Sequence, residues 1–179
     1  MRELVGEIRA ASAGRRTVVL VDGRSGAGKS TLATALARAL EAQLVRLDDV
    51  YPGWDGLEAG ASAVHTEIVP LSRWHRWSWD RQERSTTHDL DPRLPLVIEG
   101  CGALSRASRA QAVFGIWIDL DETERKARAL ARDGETYAPH WSRWAEQEER
   151  FAARECPRDL ADRLVDGRRL TPPPQVPPA

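Results

Sequence analysis

The most constraining feature of this chain is a short apolar run that leads directly into a glycine-rich segment of fixed spacing. Residues 18–21 read Val-Val-Leu-Val and predict a buried β-strand, and Gly23–Ser30 follows with the spacing Gly-x-x-x-x-Gly-Lys-Ser. Glycines let successive backbone N–H groups converge on phosphate oxygens without a side-chain clash. A helical apolar stripe over residues 32–40 follows, and the N-terminal end of a helix favours negative charge. The sequence therefore predicts a phosphate-binding loop between a strand and a helix.

The loop also carries the side chains that a nucleotide triphosphate needs. Lys29 is expected to reach the β- and γ-phosphates, and the Ser30 hydroxyl is expected to ligate Mg²⁺. The chain has only two lysines, Lys29 and Lys126, so one of the two stands where phosphate chemistry requires it. ATP and Mg²⁺ are the expected cofactors. The loop residues expected to bind ATP are Gly23, Ser25, Gly26, Ala27, Gly28, Lys29, Ser30 and Thr31.

Length and charge exclude several other classes of protein. A chain of 179 residues can bury the core of one α/β domain, and a net charge of −1 argues against general nucleic-acid binding. Residues 1–16 lack the apolar segment of a secretion signal, and no apolar run is long enough to span a membrane. Two distant cysteines without metal-ligand spacing are typical of reduced thiols, so a cytoplasmic location is expected.

Strand and helix patterns alternate along the chain, which predicts an α/β fold with a central parallel sheet. We expect one domain over residues 1–170 and a proline-rich tail over residues 171–179. In parallel sheets, ligands bind at the carboxyl ends of the strands. Acidic residues stand at four of these ends. They are Asp22, the pair Asp48-Asp49, Glu99 and Asp119.

These acids suggest separate roles in phosphoryl transfer, which needs Mg²⁺ and a group that orients the acceptor hydroxyl. Glu99 follows an apolar strand and is predicted to organise the metal or to contact the substrate. Asp48 or Asp49 is predicted to be the catalytic base that orients the acceptor, with helix capping as the alternative. Asp22 is expected to support the backbone of the loop.

Three arginines at helical spacing predict a positively charged face and, with it, a lid. Arg125, Arg128 and Arg132 lie at i, i+3 and i+7, followed by a break at Asp133-Gly134. A lid over about residues 125–155 would close over ATP and exclude water. Arg128 and Arg132 are predicted to contact phosphates as catalytic residues, and Arg125 to bind the cofactor. A solvated helix face is the alternative.

An aromatic and basic region at about residues 48–92 is the predicted acceptor site, because indole rings offer stacking faces and charged neighbours offer hydrogen bonds. The alternative is that these tryptophans only pack in the core or at an interface. The residues predicted to bind the acceptor are Asp48, Tyr51, Trp54, Arg73, Trp77 and Glu99.

With these motifs placed, residues 17–167 resemble the uridine kinase-like P-loop kinases. The loop segment Val21–Thr31 is similar to that family's phosphate loop, and Leu47–Tyr51 is similar to its Asp-x-Phe-Tyr segment. The resemblance implies a three-layer P-loop fold with a helical lid, a phosphotransferase activity, and Asp48 as the acceptor-activating base. It also implies that Glu99 serves Mg²⁺ and that Arg128–Gly134 forms the lid helix with its Arg-Asp pair.

The chain departs from that family over residues 54–92, where a tryptophan-rich segment stands in place of the expected nucleoside-binding hairpin. The function predicted is transfer of the ATP γ-phosphate to a hydroxyl of a small molecule that resembles a nucleoside. A nucleoside monophosphate kinase stays open, because Arg73, Arg76 and Arg81 could hold an acceptor phosphate. An ATP-binding regulator without an acceptor also stays open, and the expected oligomeric state is a monomer or a homodimer.

Overall fold

A five-stranded parallel sheet forms the centre of the computed structural model, which describes residues 1–170. The tail over residues 171–179 lies outside the described residues. The strands are β1 (Val18–Asp22), β2 (Gln43–Arg46), β3 (Arg73–Ser78), β4 (Glu83–Asp89), β5 (Leu96–Glu99), β6 (Phe114–Asp119) and β7 (Arg163–Asp166). The α-helices are α1 (Arg2–Ser12), α2 (Lys29–Leu40), α3 (Leu57–Ala63), α4 (Arg106–Gln111), α5 (Glu122–Tyr137), α6 (Trp141–Glu155) and α7 (Pro157–Leu160).

The parallel sheet has the strand order β2-β5-β1-β6-β7, with β1 at its centre. Alternate residues of each strand face opposite sides, so each face of the sheet builds its own core. In β1, Val18 and Leu20 join one buried cluster, which includes residues of α3 and α6. Val19 and Val21 join the other, which includes residues of α1 and α2. Helices on both sides of a parallel sheet make the three-layer α/β fold that the sequence predicts.

Local signals set the limits of several helices. The Asp121 side chain accepts hydrogen bonds from the backbone N–H groups of Thr123 and Glu124 and so caps α5. Gly134 interrupts α5 with φ 54° and ψ −136°, which confirms the predicted break. The helix α6 ends at Glu155, and Pro157 then opens the short helix α7.

The region between β2 and β5 differs from the prediction. Strands β3 and β4 pair as an antiparallel hairpin with an irregularity between His75 and Trp77. The tryptophan-rich segment is therefore one strand of a hairpin, whereas the sequence analysis expected it to replace a hairpin. Before the hairpin, the helix α3 is regular to Ala63, and Val64–Ile68 forms a π-helical turn.

None of the helices between residues 1 and 170 has both the length and the apolar character that a bilayer crossing requires.

Candidate active site

The phosphate loop has the backbone geometry that close contact with an anion requires. Gly26 has φ +81° and Gly28 has φ +104°, a region that favours glycine. A Cβ on Gly26 would lie 2.1 Å from the backbone oxygen of Arg125, so no side chain fits there. Because α2 begins at Lys29, the amides of its first turn have no partner within the helix. Converging backbone amides of this kind fit the phosphates of a nucleotide.

Asp22 supports this loop from the protein interior. Its carboxylate is buried and accepts hydrogen bonds from the backbone N–H groups of Gly23 (2.6 Å), Gly102 (3.1 Å) and Leu104 (2.9 Å). Burial raises the pKa of Asp22 to about 6, against the effect of these hydrogen bonds and of Lys29. The residue therefore joins the phosphate loop to the segment that follows β5.

Lys29, the predicted phosphate ligand, is buried at the base of the loop. Its Nζ donates to the backbone oxygen of Arg24 (3.3 Å) and to Cys101 Sγ (3.3 Å). Burial disfavours its charge, but the nearby Cys101, Glu99 and other acidic side chains outweigh burial and raise its pKa. Lys29 is therefore a charged donor at the position where phosphate oxygens would lie.

Glu99 lies next to the loop at the end of β5, and its surroundings fit a magnesium ion. Its Oε1 is buried and has no hydrogen-bond partner, with Arg46 Nε 3.6 Å away as the nearby cation. Burial and the charge of Asp48 raise the pKa of Glu99, whereas Lys29 and a hydrogen bond from Ser30 lower it. An unpartnered carboxylate oxygen beside a serine hydroxyl suits Mg²⁺, which takes few protein ligands and keeps several waters and phosphates.

Because Mg²⁺ takes few protein ligands, such a site does not need a preformed cluster of metal-binding side chains. Among residues 1–170, no three His, Cys, Asp or Glu side chains come together as a metal site. Ser30 and Glu99 would hold Mg²⁺ jointly with the phosphates, and the ion would neutralise charge on them during transfer.

The structure separates the two aspartates that the sequence could not tell apart. Asp48 and Asp49 share a 3₁₀ turn after β2. Asp49 forms an ion pair with Arg76 of β3 at 3.5 Å. The side chain of Asp48 is exposed. After the larger effect of burial, its charge helps to raise the pKa of Glu99, and it adds to the other groups that raise the pKa of Lys29 against burial. Asp49 is thus the aspartate that pairs with the hairpin, and Asp48 as the catalytic base stays a prediction.

The three predicted lid arginines have different environments. Arg125 is buried and donates to the backbone oxygens of Leu120 and Ser25, so it supports the loop backbone instead of offering its charge to a cofactor. Arg128 joins the Glu124 carboxylate to the backbone oxygen of Gly167.

Arg132, the third arginine of the predicted lid, pairs with its neighbour Asp133. A two-point interaction with Asp133 fixes its guanidinium, with contacts of 2.8 and 2.6 Å. Asp133 chiefly raises the pKa of Arg132, against burial, and Asp48 adds to the effect. The predicted lid therefore carries a positive charge that interacts with the charge of Asp48.

Two aromatic residues of the predicted acceptor site are already engaged in packing. Tyr51 is buried, and its hydroxyl donates to the backbone oxygen of Cys101 at 2.8 Å, so it forms part of the wall behind the site. Trp54 stacks on His140 and Tyr137 with ring centroids 4.3 and 5.5 Å apart. Its ring packs between the predicted acceptor region and the predicted lid, and a role in stacking on an acceptor stays a prediction.

The hairpin places the other two predicted acceptor residues differently. Arg73 pairs with Asp89 of the neighbouring strand at 3.0 Å, so its charge is engaged within the hairpin. Trp77 is half-buried, and its Nε1 has no hydrogen-bond partner. Trp79, just beyond β3, donates to the backbone oxygen of Asp48 at 3.3 Å and so fixes the turn that carries the predicted base.

Sequence reasoning missed three residues that surround the loop: Cys101, Tyr137 and Glu148. Tyr137 of α5 lies 2.9 Å from Ser25 Oγ through its hydroxyl. Glu148 of α6 accepts from the Ser25 backbone N–H, and Cys101 lies between Lys29 and Glu148. These contacts join residues up to 123 positions apart in the chain, and no local spacing indicates them.

An open cleft of about 550 Å³ adjoins the start of the lid. Gly167, between two of its lining residues, packs against the backbone of Ala27 in the phosphate loop. The lining residues are Asp119, Leu120, Asp121, Glu124, Leu164, Val165, Asp166 and Arg168.

Comparison with solved structures places this geometry in a known fold, although no protein-family model and no curated protein sequence matches the chain. A possible uridine kinase from Bacillus stearothermophilus superimposes with a TM-score of 0.64 at 18% identity, covering 92% of this chain and 96% of that one. A candidate fructose transport system kinase from Silicibacter sp. gives 0.55 at 18% identity, with 90% and 97% covered. A gluconokinase from Sinorhizobium meliloti gives 0.53 at 19% identity, with 89% and 86% covered. The chain has the three-layer α/β fold of P-loop kinases.

Proposed function

We propose that this protein is an ATP-dependent kinase that transfers the γ-phosphate to a hydroxyl group of a small molecule. The observation that carries the proposal is the phosphate loop between β1 and α2, with the buried Lys29 at its base and the buried Glu99 at the end of the neighbouring strand β5. The turn that carries Asp48 follows β2, on the other side of β5. A base, a phosphate ligand, a metal-binding carboxylate and a lid cation are the groups that phosphoryl transfer needs. The solved kinases with this fold support the same reaction class.

In this proposal, the loop and Lys29 would hold the phosphates of ATP, and Ser30 and Glu99 would hold Mg²⁺. The cleft at the ends of β6 and β7 would receive the nucleoside part of ATP, because its carboxylates can accept hydrogen bonds from ribose hydroxyls and from an amino group. Asp48 accepts the proton of the acceptor hydroxyl, and Arg132 stabilises the charge on the transferring phosphoryl group.

A hydroxyl acceptor fits the region better than a phosphorylated one. The three arginines that could hold an acceptor phosphate each lie near a carboxylate: Arg73 near Asp89, Arg76 near Asp49 and Arg81 near Glu83. We therefore favour an uncharged polyol or nucleoside over a nucleoside monophosphate.

The test is ADP release from Mg-ATP over a panel of nucleosides, sugars, sugar acids and vitamin alcohols, with CMP and UMP in parallel. The proposal expects at least one free alcohol to stimulate ADP release above the rate without acceptor. Stimulation by the monophosphates alone would indicate the nucleotide kinase. ATP binding without any stimulated release would favour an ATP-binding regulator.

A further inference from the structure

Glu148 is a buried carboxylate of α6 that lies against the phosphate loop without belonging to it. Only 5% of the residue is exposed, and it lines a small, partly open pocket together with Asp22 and Gly23. Its neighbour Glu149 is 70% exposed in its side chain and reaches only the outer part of the Arg24 guanidinium. A buried carboxylate is costly unless it is fully paired, so the contacts of Glu148 need an account.

Glu148 uses both oxygens on the beginning of the loop. Oε1 accepts the backbone N–H of Ser25 at 2.7 Å and the thiol of Cys101 at 3.1 Å. Oε2 accepts Nε of Arg24 at 3.1 Å. Hydrogen bonds to an ionised acceptor are about twice as strong as neutral ones. The contact with Cys101 is buried, and the contacts with Ser25 and Arg24 are partly buried.

As a result, Ser25 is held through every polar group it has. Glu148 binds its N–H, Arg125 donates to its carbonyl oxygen at 3.2 Å, and the Tyr137 hydroxyl lies 2.9 Å from its Oγ. All three partners come from α5 and α6. Ser25 is followed by Gly26, which has a positive φ. Because glycine has more conformational freedom than other residues, ordering this loop costs conformational entropy.

We propose that Glu148 is a positioning residue for phosphate binding: it fixes Ser25 and Arg24 and thereby holds the loop in its binding conformation before the nucleotide arrives. The inference rests on the proposed function, since it requires that the loop holds nucleotide phosphates. A loop that is already ordered loses less entropy on binding, so affinity rises without any contact between Glu148 and the ligand. The gain should be the same for a nucleoside diphosphate and a triphosphate.

The experiment compares calorimetric Kd values for Mg-ADP and for a non-hydrolysable Mg-ATP analogue. The proteins are the wild type, Glu148→Gln, Glu148→Ala and the matched control Glu149→Gln. Glu148→Ala removes all three hydrogen bonds of the carboxylate, and we expect it to weaken the binding of both nucleotides at least about tenfold. The Kd values of Glu148→Gln should lie between those of the wild type and Glu148→Ala. Its amide oxygen can still accept the Ser25 N–H, but its amide nitrogen faces Arg24. Glu149→Gln should bind like the wild type.

The outcomes separate the two proposals. If the wild type binds neither nucleotide, the proposed function is wrong. If the wild type binds and the folded Glu148 variants keep its Kd values, the positioning role is wrong while the proposed function stands. Should both variants fail to fold, amide exchange of Ser25 in the nucleotide-free wild type decides. Protection supports the positioning role, and exchange as fast as that of an exposed loop contradicts it.

Discussion

Adjacent residues of the same type can have different roles, and Asp48 and Asp49 provide the test. Asp48→Asn keeps the shape of the side chain but removes the proton acceptor, so kcat is expected to fall by about 10²–10⁴ with nucleotide affinity little changed. Asp49→Asn removes only a partly exposed ion pair with Arg76, and it should leave kcat near the wild-type value. Steady-state kinetics with the acceptor found in the panel measures both, and equal losses would contradict the assignment of Asp48.

Asp22 gives a pH-dependent prediction at the same scale. Its pKa is raised to about 6 from an ordinary value of 3.8, so between these values the folded protein holds a proton that the unfolded chain has lost. Stability from this group is therefore fully present below pH 3.8 and is lost as the pH rises to about 6. The difference between these two pKa values corresponds to a loss of roughly 3 kcal/mol in the free energy of unfolding.

Urea denaturation from pH 3.5 to 7 checks the Asp22 prediction. In Asp22→Asn this fall in the free energy of unfolding should be absent. The variant should also be less stable than the wild type at low pH, because an amide nitrogen cannot accept the Gly23 N–H. An identical pH dependence in the two proteins would show that Asp22 does not titrate in this range.

At the scale of elements, the sequence predicted the parts whose residues are close together in the chain. The apolar strands β1, β5 and β6, the helix α2 after the loop and the break at Gly134 each follow from local pattern. The hairpin β3–β4 was missed because most of its residues are polar and partly or fully exposed, so its strands show no clean apolar alternation. The contacts of Glu148 and Cys101 with the loop depend on tertiary packing, which local spacing does not encode.

Gly134 tests whether the break in α5 serves the lid. Its φ of 54° with ψ of −136° is strained for any residue with a Cβ, and a Cβ there would meet no atom within 4 Å. Gly134→Ala therefore adds backbone strain alone, about 1–3 kcal/mol. The predicted lid should relieve this strain by straightening, which would draw Tyr137 away from Ser25. We therefore expect a clear fall in kcat together with only a small fall in Tm.

Gly6→Ala is the matched control for this prediction. A Cβ on Gly6 also meets nothing within 4 Å, but Gly6 lies inside the regular helix α1. It should raise stability by about 0.5–1 kcal/mol and leave kcat unchanged, since alanine favours a helix. If both glycine variants behave alike in thermal unfolding and kinetics, the conformation of Gly134 has no functional part.

At the scale of the whole molecule, three segments distant in sequence meet around the loop. Tyr137 and Glu148 join the lid region to Ser25, and Trp54 stacks on Tyr137 and His140 to join the acceptor region to the lid. In contrast, α1 packs on the opposite face of the sheet with α2. Local opening should therefore be shared among the loop, the lid and the acceptor turn, and not with α1.

This arrangement predicts how nucleotide binding spreads through the protein. A Mg-ATP analogue alone, before any acceptor is added, should slow hydrogen exchange in three segments: residues 23–31, 48–54 and 134–148. The reason is that a ligand on the loop stabilises every segment that is joined to the loop. Exchange in α1 should stay the same and serves as the internal control. Protection confined to residues 23–31 would mean that the lid and the acceptor turn open independently of the loop. In that case the contacts of Tyr137 and Trp54 would not transmit binding, and closure would have to await the acceptor.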